Sequence, residues 1–593
     1  MADNTDVLAD MSTGHGSPAA IQALTESLLV TRTILLRKLI DEITAELPEQ
    51  AAASGLPDAF AALNDLMREA PDTAVWVLTH PHLGNWISLM LLRIGAGATD
   101  SAAPLWADSG YLGWLLAAAA INDRFADTVH VVIRNGEVVL PSVGLLRPAA
   151  PDYCGSGRVH YRPDGVVRLD WDGGSIDIAS TATESDMWLP MRNAGGSESI
   201  PAVAIDDVDP FRDSTVSGAS NPPRLTPDQA ARWRRDFAAA WRLLDAELPA
   251  YSSVMRECLT VIVPLSDRPR VPSASHTTST GPGCVYTTTP VDSCQLALTL
   301  VHEIQHSKFN LLLDHTVLFD AVPVCRFYAP WRDDPRPIYG LMHGIYAFFG
   351  VTDFWRVHRH SACHGSLPSH VEFELWRGHV QGAIEQALAS DLLTPDGIDL
   401  LNALADRMRP WGDVEVPLQV RHAVGEKASA HRTYWQVRNF DLDPADVEGL
   451  AARWRAGEGV PAQLPSSRSV EQDDIPEQHR TLPLAAQLCT LDPVAAQELS
   501  DSDQPDGDRA YLAGDLDEAF ARYQRELHED PIRPQAWAGL ALVLPKLFSE
   551  GDFGILRTRA EVAARLWQAV RVDSDIVELV RWLSPTSDQT PLP

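Results

Sequence analysis

Between Ala19 and Leu47, Leu24, Leu28, Leu35 and Ile40 fall at the spacing of an amphipathic helix. Further helical segments are predicted around 58–68, 86–93 and 111–121. The period then changes. Residues 129–133 read as a strand, and Asn135-Gly136 supplies a turn before Val138–Leu140. Asn-Gly favours the positive-φ turn that joins twisted antiparallel strands. Asp164-Gly165 and Asp172-Gly173 are two more turn signals, set among short strand candidates at 158–162, 166–171 and 175–178. Residues 1–194 are therefore expected to form a helical layer beside an antiparallel β-meander.

Residues 195–224 are rich in Gly, Ser, Pro and Asp and carry no period, the signature of a linker or long surface loop. Thr226-Pro227-Asp228 then opens a helix with a cap, a proline in the first turn and early negative charge. It runs to about Leu248 through Trp233, Phe237, Trp241 and Leu244. A strand is expected at 259–265, a Ser/Thr/Gly-rich loop at 273–289, and a helix capped by Asp292 after it. Residues 225–455 read as one metal-binding domain, and 456–508, with Pro461, Pro465 and Pro476, as an irregular connector. In 509–585, Gly514, Ala519, Tyr523, Leu527, Pro531, Ala536, Trp537 and Leu540 are spaced like a tetratricopeptide helix pair. A single such unit cannot bury its own apolar face, so docking onto the preceding domain is expected; an ordinary helical hairpin is the plainer alternative. The fold class is α+β, mostly helical.

At 593 residues the chain has room for about three or four domains. Its net charge is 48 − 80 = −32, which disfavours nucleic acid and anionic membranes as partners. The longest uninterrupted apolar run, 112–121, is far short of the ~20 residues of a membrane span, and residues 1–17 lack a signal core. Seven scattered cysteines without a CxxC pair point to reduced thiols and a cytoplasmic location.

The chemistry concentrates in His302-Glu303-Ile304-Gln305-His306. With this composition, HExxH arises by chance about 0.03 times in such a chain. The surrounding stretch, 291–313, has no Pro or Gly and is apolar at Leu296, Leu300, Ile304 and Leu311. Residues four apart share a helix face about 6 Å apart along the axis, so His302 and His306 can present both imidazoles to one metal ion. Glu303 lies about 100° around the helix, beside that ion. Asp314 is about 12 Å further along and is a poor third ligand. His343, set among Leu341, Met342, Ile345 and Tyr346 on an expected return helix, is a candidate third ligand; a core histidine bonded to a carbonyl is the alternative. Asp333 or Asp334 is the runner-up, since a loop carboxylate suits a two-His-one-carboxylate iron site. Arg332 and Arg336, in a proline-stiffened loop, could clamp a small dicarboxylate, or could pair with Asp333 and Asp334 and shape the loop. The cluster His358, His360, Cys363, His364 and His370 matches no common zinc spacing and reads as a solvated connector; His80 and His82 read as a surface turn.

His302-Glu-Ile-Gln-His306-Ser-Lys, then Ala329-Pro-Trp-Arg-Asp-Asp-Pro-Arg-Pro337, then Gly340-Leu-Met-His-Gly-Ile-Tyr-Ala347 together resemble the HExxH-type peptide β-hydroxylases. These are iron(II)- and 2-oxoglutarate-dependent enzymes of ribosomally synthesised peptide natural products. Their genes often lie beside, or are fused to, those of radical S-adenosylmethionine maturases. The likeness extends in outline to Asp108-Ser-Gly-Tyr-Leu-Gly-Trp114 and to Leu512-Ala-Gly-Asp515 and Trp537-Ala-Gly-Leu540, and its specific part is about 290–355. No cysteine triad for a radical-type iron–sulfur cluster is present, so this would be the stand-alone form. The resemblance implies Fe(II) on His302 and His306, with His343 assigned as third ligand. It also implies a precursor peptide as substrate, and 2-oxoglutarate for which Arg332 and Arg336 are candidate partners. Glu303 would orient a ligand or water.

Two other readings use the same residues. In a zinc metallopeptidase Glu303 would be the general base on a zinc-bound water. In a non-catalytic peptide-binding scaffold the repeat-like C-terminus would do the binding.

Overall fold

In the computed structural model, residues 4–96, 103–123, 128–162, 165–212, 224–266, 274–320, 322, 326–361, 366–470, 506–548 and 552–584 are described. The chain divides into two compact units, Met1–Leu318 and Phe319–Pro593. The boundary falls inside the stretch expected to be one metal-binding domain. Helices predominate and the strands form small sheets, so the class is α+β.

The first unit opens with the helix Asn4–Met11 and the 29-residue helix Pro18–Glu46. The second of these is long and apolar enough, by length and composition, to cross a membrane, a feature that counting only uninterrupted apolar runs overlooks. In the fold, however, its Leu36, Leu39, Ile40 and Ile43 join the core of the unit. Its buried Arg32 donates to the carbonyls of Leu78, His80 and Thr280.

The helix Tyr111–Asp123 packs against β1 (Thr128–Ile133). Gly113 makes this approach possible, because a Cβ there would lie 2.7 Å from the His130 carbonyl. One residue on, the Trp114 indole donates to the Val132 carbonyl at 2.7 Å. Asp108, just ahead of the helix, is buried between Arg93 and Arg134.

The strands β2 (Val138–Leu140), β3 (Gly144–Leu146), β4 (Gly155–Tyr161), β5 (Val167–Trp171), β6 (Gly174–Ile178) and β7 (Trp188–Pro190) follow. They form two antiparallel sheets, ordered β1-β4-β5-β6 and β2-β3-β7. Asn135 and Gly136 do adopt positive φ, 51° and 78°. After a single Arg134–Glu137 bridge, however, the strands they connect part into different sheets. Local turn chemistry is satisfied while long-range pairing of β1 with β4 decides the partner.

The described part of the expected linker 195–224 is partly structural. β8 (Arg192–Asn193) and β9 (Ala204–Ile205) join β10 (Val261–Pro264), β11 (Ser275–His276) and β12 (Cys284–Thr287) in a five-stranded sheet ordered β11-β12-β10-β9-β8. Within it β9, β10 and β12 are mutually parallel neighbours, and β11 is an antiparallel edge. The expected loop 273–289 thus contains two strands, with β12 wholly buried. Short buried strands lack the period-two signal that exposes a half-buried strand to sequence reading.

The helix Pro227–Glu247 has the expected start, a reciprocal capping box between Thr226 and Gln229, and buries Trp233, Phe237, Trp241 and Leu244. The helix Ser293–His315 starts at Asp292, whose carboxylate accepts the Gln295 N–H at 2.8 Å.

The second unit is built from Ile338–His358, Ser366–Leu388, Pro395–Met408, Leu418–Asn439 and Pro444–Arg455. The later helices include Leu516–Glu529, Pro534–Leu547, Ala560–Val570 and Ile576–Leu583. Tyr523, Trp537, Leu540 and Trp567 share one core with Val437, Leu442 and Leu450, so these later helices are packed onto the preceding ones. Hydrogen bonds from Thr433 to the Leu556 carbonyl, at 2.6 Å, and from Gln436 to the Thr558 carbonyl tie the two parts together.

The loop 326–337 lies along the helix Ile338–His358 because that helix offers glycine where the loop comes closest. A Cβ on Gly344 would sit 1.9 Å from the Trp331 ring, which stacks on Phe348 with centroids 5.0 Å apart. Gly344→Ala is therefore expected to lower stability by about 1–3 kcal/mol through overpacking. Gly378→Ala, in a helix where a Cβ meets nothing within 4 Å, should be neutral or gain up to about 1 kcal/mol. Urea denaturation midpoints of the two variants check the contrast.

Candidate metal centre

His302, Glu303 and His306 sit mid-way along the helix Ser293–His315 of the first unit. The sequence expectation of one shared face is met in detail. The two Nε2 atoms are 3.2 Å apart, with the rings nearly perpendicular at 86°. Two nitrogens at that separation fit one ion at ~2.1 Å with an N–metal–N angle of about 100°, between the octahedral and tetrahedral values. Without an ion, one Nε2–H can donate to the other Nε2.

Burial holds the His306 imidazole down to about 4. Burial and the neighbouring His306 push His302 well below its ordinary value. Both rings are therefore neutral at pH 7, the form that ligates metal.

Relative to the midline of the pair, Glu303 lies about 80° to one side and Gln305 about 80° to the other. Ser275, on edge strand β11, donates to Glu303 Oε1 at 2.7 Å. Oε2 is buried with no hydrogen-bond partner among the described residues. Burial raises the Glu303 carboxyl to about 7 against the opposing hydrogen bonds from Ser275 and Thr277. Among the described residues of this unit, no third His, Cys, Asp or Glu brings a ligand atom within 4.8 Å of both imidazoles. Glu303 is thus a neighbour of the pair, as expected, and not a third member of it.

The helix is fixed in rotation from its other flank. Gln305 donates to the Gly14 carbonyl at 2.9 Å, and Lys308 to the His15 carbonyl at 2.7 Å. Lys308 is buried over the Tyr251 ring, and burial lowers its ammonium to about 7. Further along, Ser27 and His315 Nδ1 are 2.8 Å apart. Sequence reading missed this N-terminal clasp and the Ser275 contact, because neither follows a periodic pattern.

His343, Arg332 and Arg336 belong to the second unit. His343 is buried on the helix Ile338–His358, its ring 4.4 Å from that of Tyr339. Arg332 Nε and an Arg336 terminal nitrogen donate to opposite oxygens of Asp334, at 2.9 and 3.0 Å. Burial would raise the Asp334 carboxyl, but these two guanidinium contacts outweigh it and hold it below the usual range. The arginines thus converge on one carboxylate, supplied here by the loop itself. Asp333 faces elsewhere: its carboxylate lies 3.3 Å from His431 Nε2, and the Tyr328 hydroxyl is 2.7 Å from His431 Nδ1.

Two expectations are overturned. His80 and His82 are not a surface turn: both are buried, His82 completely, where the helix Pro81–Ala96 begins. Of the histidine-rich stretch expected to be a solvated connector, His360 is exposed as expected, but His358 is buried on its helix and His370 is half-buried on the helix Ser366–Leu388; Cys363 and His364 lie outside the described residues.

In comparisons with known proteins, no family model and no curated protein matches this chain.

Titration of Glu303 should be visible in the metal-free protein. The carboxyl is about 4.3 in an unfolded chain and about 7 in the fold, so between these values the folded state keeps a proton that the unfolded state has lost. Its destabilising effect is absent below about pH 4, grows as pH rises, and is complete above about pH 7, on the order of 3 kcal/mol. Glu303→Gln should remove that slope. Denaturation midpoints in EDTA at pH 5 and pH 8 test it: wild type should lose stability relative to the variant at the higher pH.

Proposed function

We propose that the protein is an iron(II)- and 2-oxoglutarate-dependent hydroxylase acting on the β-carbon of a residue in a ribosomally synthesised precursor peptide. The observation that carries the metal part is the pair of neutral imidazoles with Nε2 atoms 3.2 Å apart beside a buried acid. The hydroxylase part rests on the sequence resemblance across 290–355.

In this reading His302 and His306 hold Fe(II), and His343 is the expected third ligand. Bound together, iron and 2-oxoglutarate supply the oxidising chemistry: O₂ and 2-oxoglutarate are consumed, one oxygen atom enters the peptide C–H bond, and succinate and CO₂ leave. The protein's own work is ligation and orientation. Gln305 and Lys308 keep the imidazole pair turned the right way, and Ser275 holds Glu303 so that its second oxygen is left to orient a water or ligand. Arg332 and Arg336 are the proposed partners of the cosubstrate carboxylate, a reading supported by their convergence on Asp334.

The finer architectural readings belong with this proposal. The antiparallel register from β4 to β6 supports the meander. The antiparallel-capable pair Leu516–Glu529 and Pro534–Leu547 supports a tetratricopeptide-like segment, a natural surface for a peptide. A cytoplasmic location and a radical S-adenosylmethionine maturase as neighbour in the pathway complete it.

One observation favours a second reading, a zinc metallopeptidase. A buried glutamate raised to about 7 with an unengaged oxygen is suited to act as a general base on metal-bound water. The two readings separate in one experiment. Anaerobically purified protein loaded with Fe(II) should convert 2-oxoglutarate to succinate and add 16 Da to its peptide, and His302→Ala should lose both by more than about 100-fold. Zinc-dependent peptide cleavage without succinate would assign the site to hydrolysis instead. Unchanged product formation in a folded His302→Ala protein would show that the imidazole pair is not catalytic.

A further inference from the structure

A second constellation of ligating side chains lies in the first unit, apart from the HExxH pair in sequence and in its donor set. His82, at the start of the helix Pro81–Ala96, meets Asp206 and Asp209 from the turn that follows β9. One ligand atom from each lies within 4.8 Å of the other two, and all three residues are buried. His82 Nε2 is 3.0 Å from Asp206 Oδ2. That is the spacing of two ligands about 2.1 Å from one ion.

The carboxylates are held in place by their surroundings. Asp206 Oδ1 accepts the backbone N–H of Val208 at 3.0 Å and of Asp209 at 2.9 Å. Asp209 accepts the Phe211 N–H through Oδ1 and the Tyr111 hydroxyl through Oδ2, both at 2.7 Å. Such supporting donors fix the orientation of metal-binding carboxylates. On the other side of the imidazole, His82 Nδ1 is buried without a hydrogen-bond partner among the described residues.

Charge accounting is compatible with a cation here. The intervening Asp207 is paired separately with Arg192 and Arg224, at 2.9 and 3.0 Å, and Glu184 faces the same two guanidiniums. Asp206 and Asp209 are left with Arg212, which donates to the Asp209 carbonyl at 2.9 Å. Apart from the imidazole, two buried carboxylates and one guanidinium leave one negative charge to be balanced, and an uncompensated buried charge is costly. Either a proton on the imidazole or a bound cation can balance it.

We propose that His82, Asp206 and Asp209 form a structural site for a divalent transition-metal ion. One imidazole with two carboxylates is a mixed nitrogen–oxygen donor set that suits Mn²⁺, Fe²⁺ or Zn²⁺ better than Ca²⁺ or Mg²⁺. The ion would pin the start of the Pro81–Ala96 helix to the turn beyond β9, at the carboxyl end of the parallel strands.

The test uses the full chain with the first pair removed, so that failure here leaves the HExxH reading untouched. His302→Ala/His306→Ala protein is stripped with EDTA, reloaded with Mn²⁺ or Zn²⁺, desalted and assayed for metal. One equivalent per chain and a rise in Tm of about 5 °C are expected. Adding Asp206→Asn and Asp209→Asn should remove both. Less than about 0.1 equivalent in the parent, or an equivalent that survives the Asn substitutions, overturns the proposal and assigns the cluster to a proton-balanced ion network. Should the Asn variants fail to fold, anomalous diffraction from Mn²⁺-loaded wild-type crystals decides: a peak among the three side chains supports the site, and none excludes it.

Discussion

The imidazole pair of the first unit depends on the rotational setting of one helix. Two imidazoles four residues apart share a face on any α-helix, but only particular rotamers bring their Nε2 atoms to 3.2 Å. The helix that carries them is held from both flanks. Ser275 takes hold of Glu303 on one side, while the carbonyls of Gly14 and His15 receive Gln305 and Lys308 on the other. Burial then keeps the rings neutral. Sequence provides the spacing; tertiary contacts fix the orientation of the helix that carries it.

The motif interior was legible from sequence because helical periodicity is a local property. The run from Asp292 to His315, its cap and its buried face all follow from residues within a few positions of one another. The same holds for Thr226 and Gln229, whose capping box marks the start of the helix Pro227–Glu247. What escaped was anything set by distant pairing. β9 and β12 are too short and too deeply buried to alternate, so Ala204–Ile205 passed for a linker and Cys284–Thr287 for a loop. His80 and His82 looked like surface residues because a Pro-flanked polar stretch ordinarily is one. Only the fold reveals that Asp206 and Asp209, more than a hundred residues later, enclose His82.

Glycines in the second unit illustrate a related limit. Gly340 and Gly344 read as part of a family-like motif, yet their physical reason is steric. They let Arg336 and Trp331 of the preceding loop lie against the helix, where a methyl group would collide. The motif residues on either side of the loop are thus linked by packing, and Phe348 extends the contact by stacking on Trp331.

The convergence of Arg332 and Arg336 on Asp334 carries a further implication. Any anion arriving from solution finds both guanidiniums already engaged by a tethered rival, whose effective concentration is on the order of millimolar or higher. A lone carboxylate offers nothing that Asp334 does not, and competes poorly. A ligand with a second anchoring group elsewhere can displace it. In the proposed reading the loop would therefore favour an anion secured at a second point over a lone carboxylate.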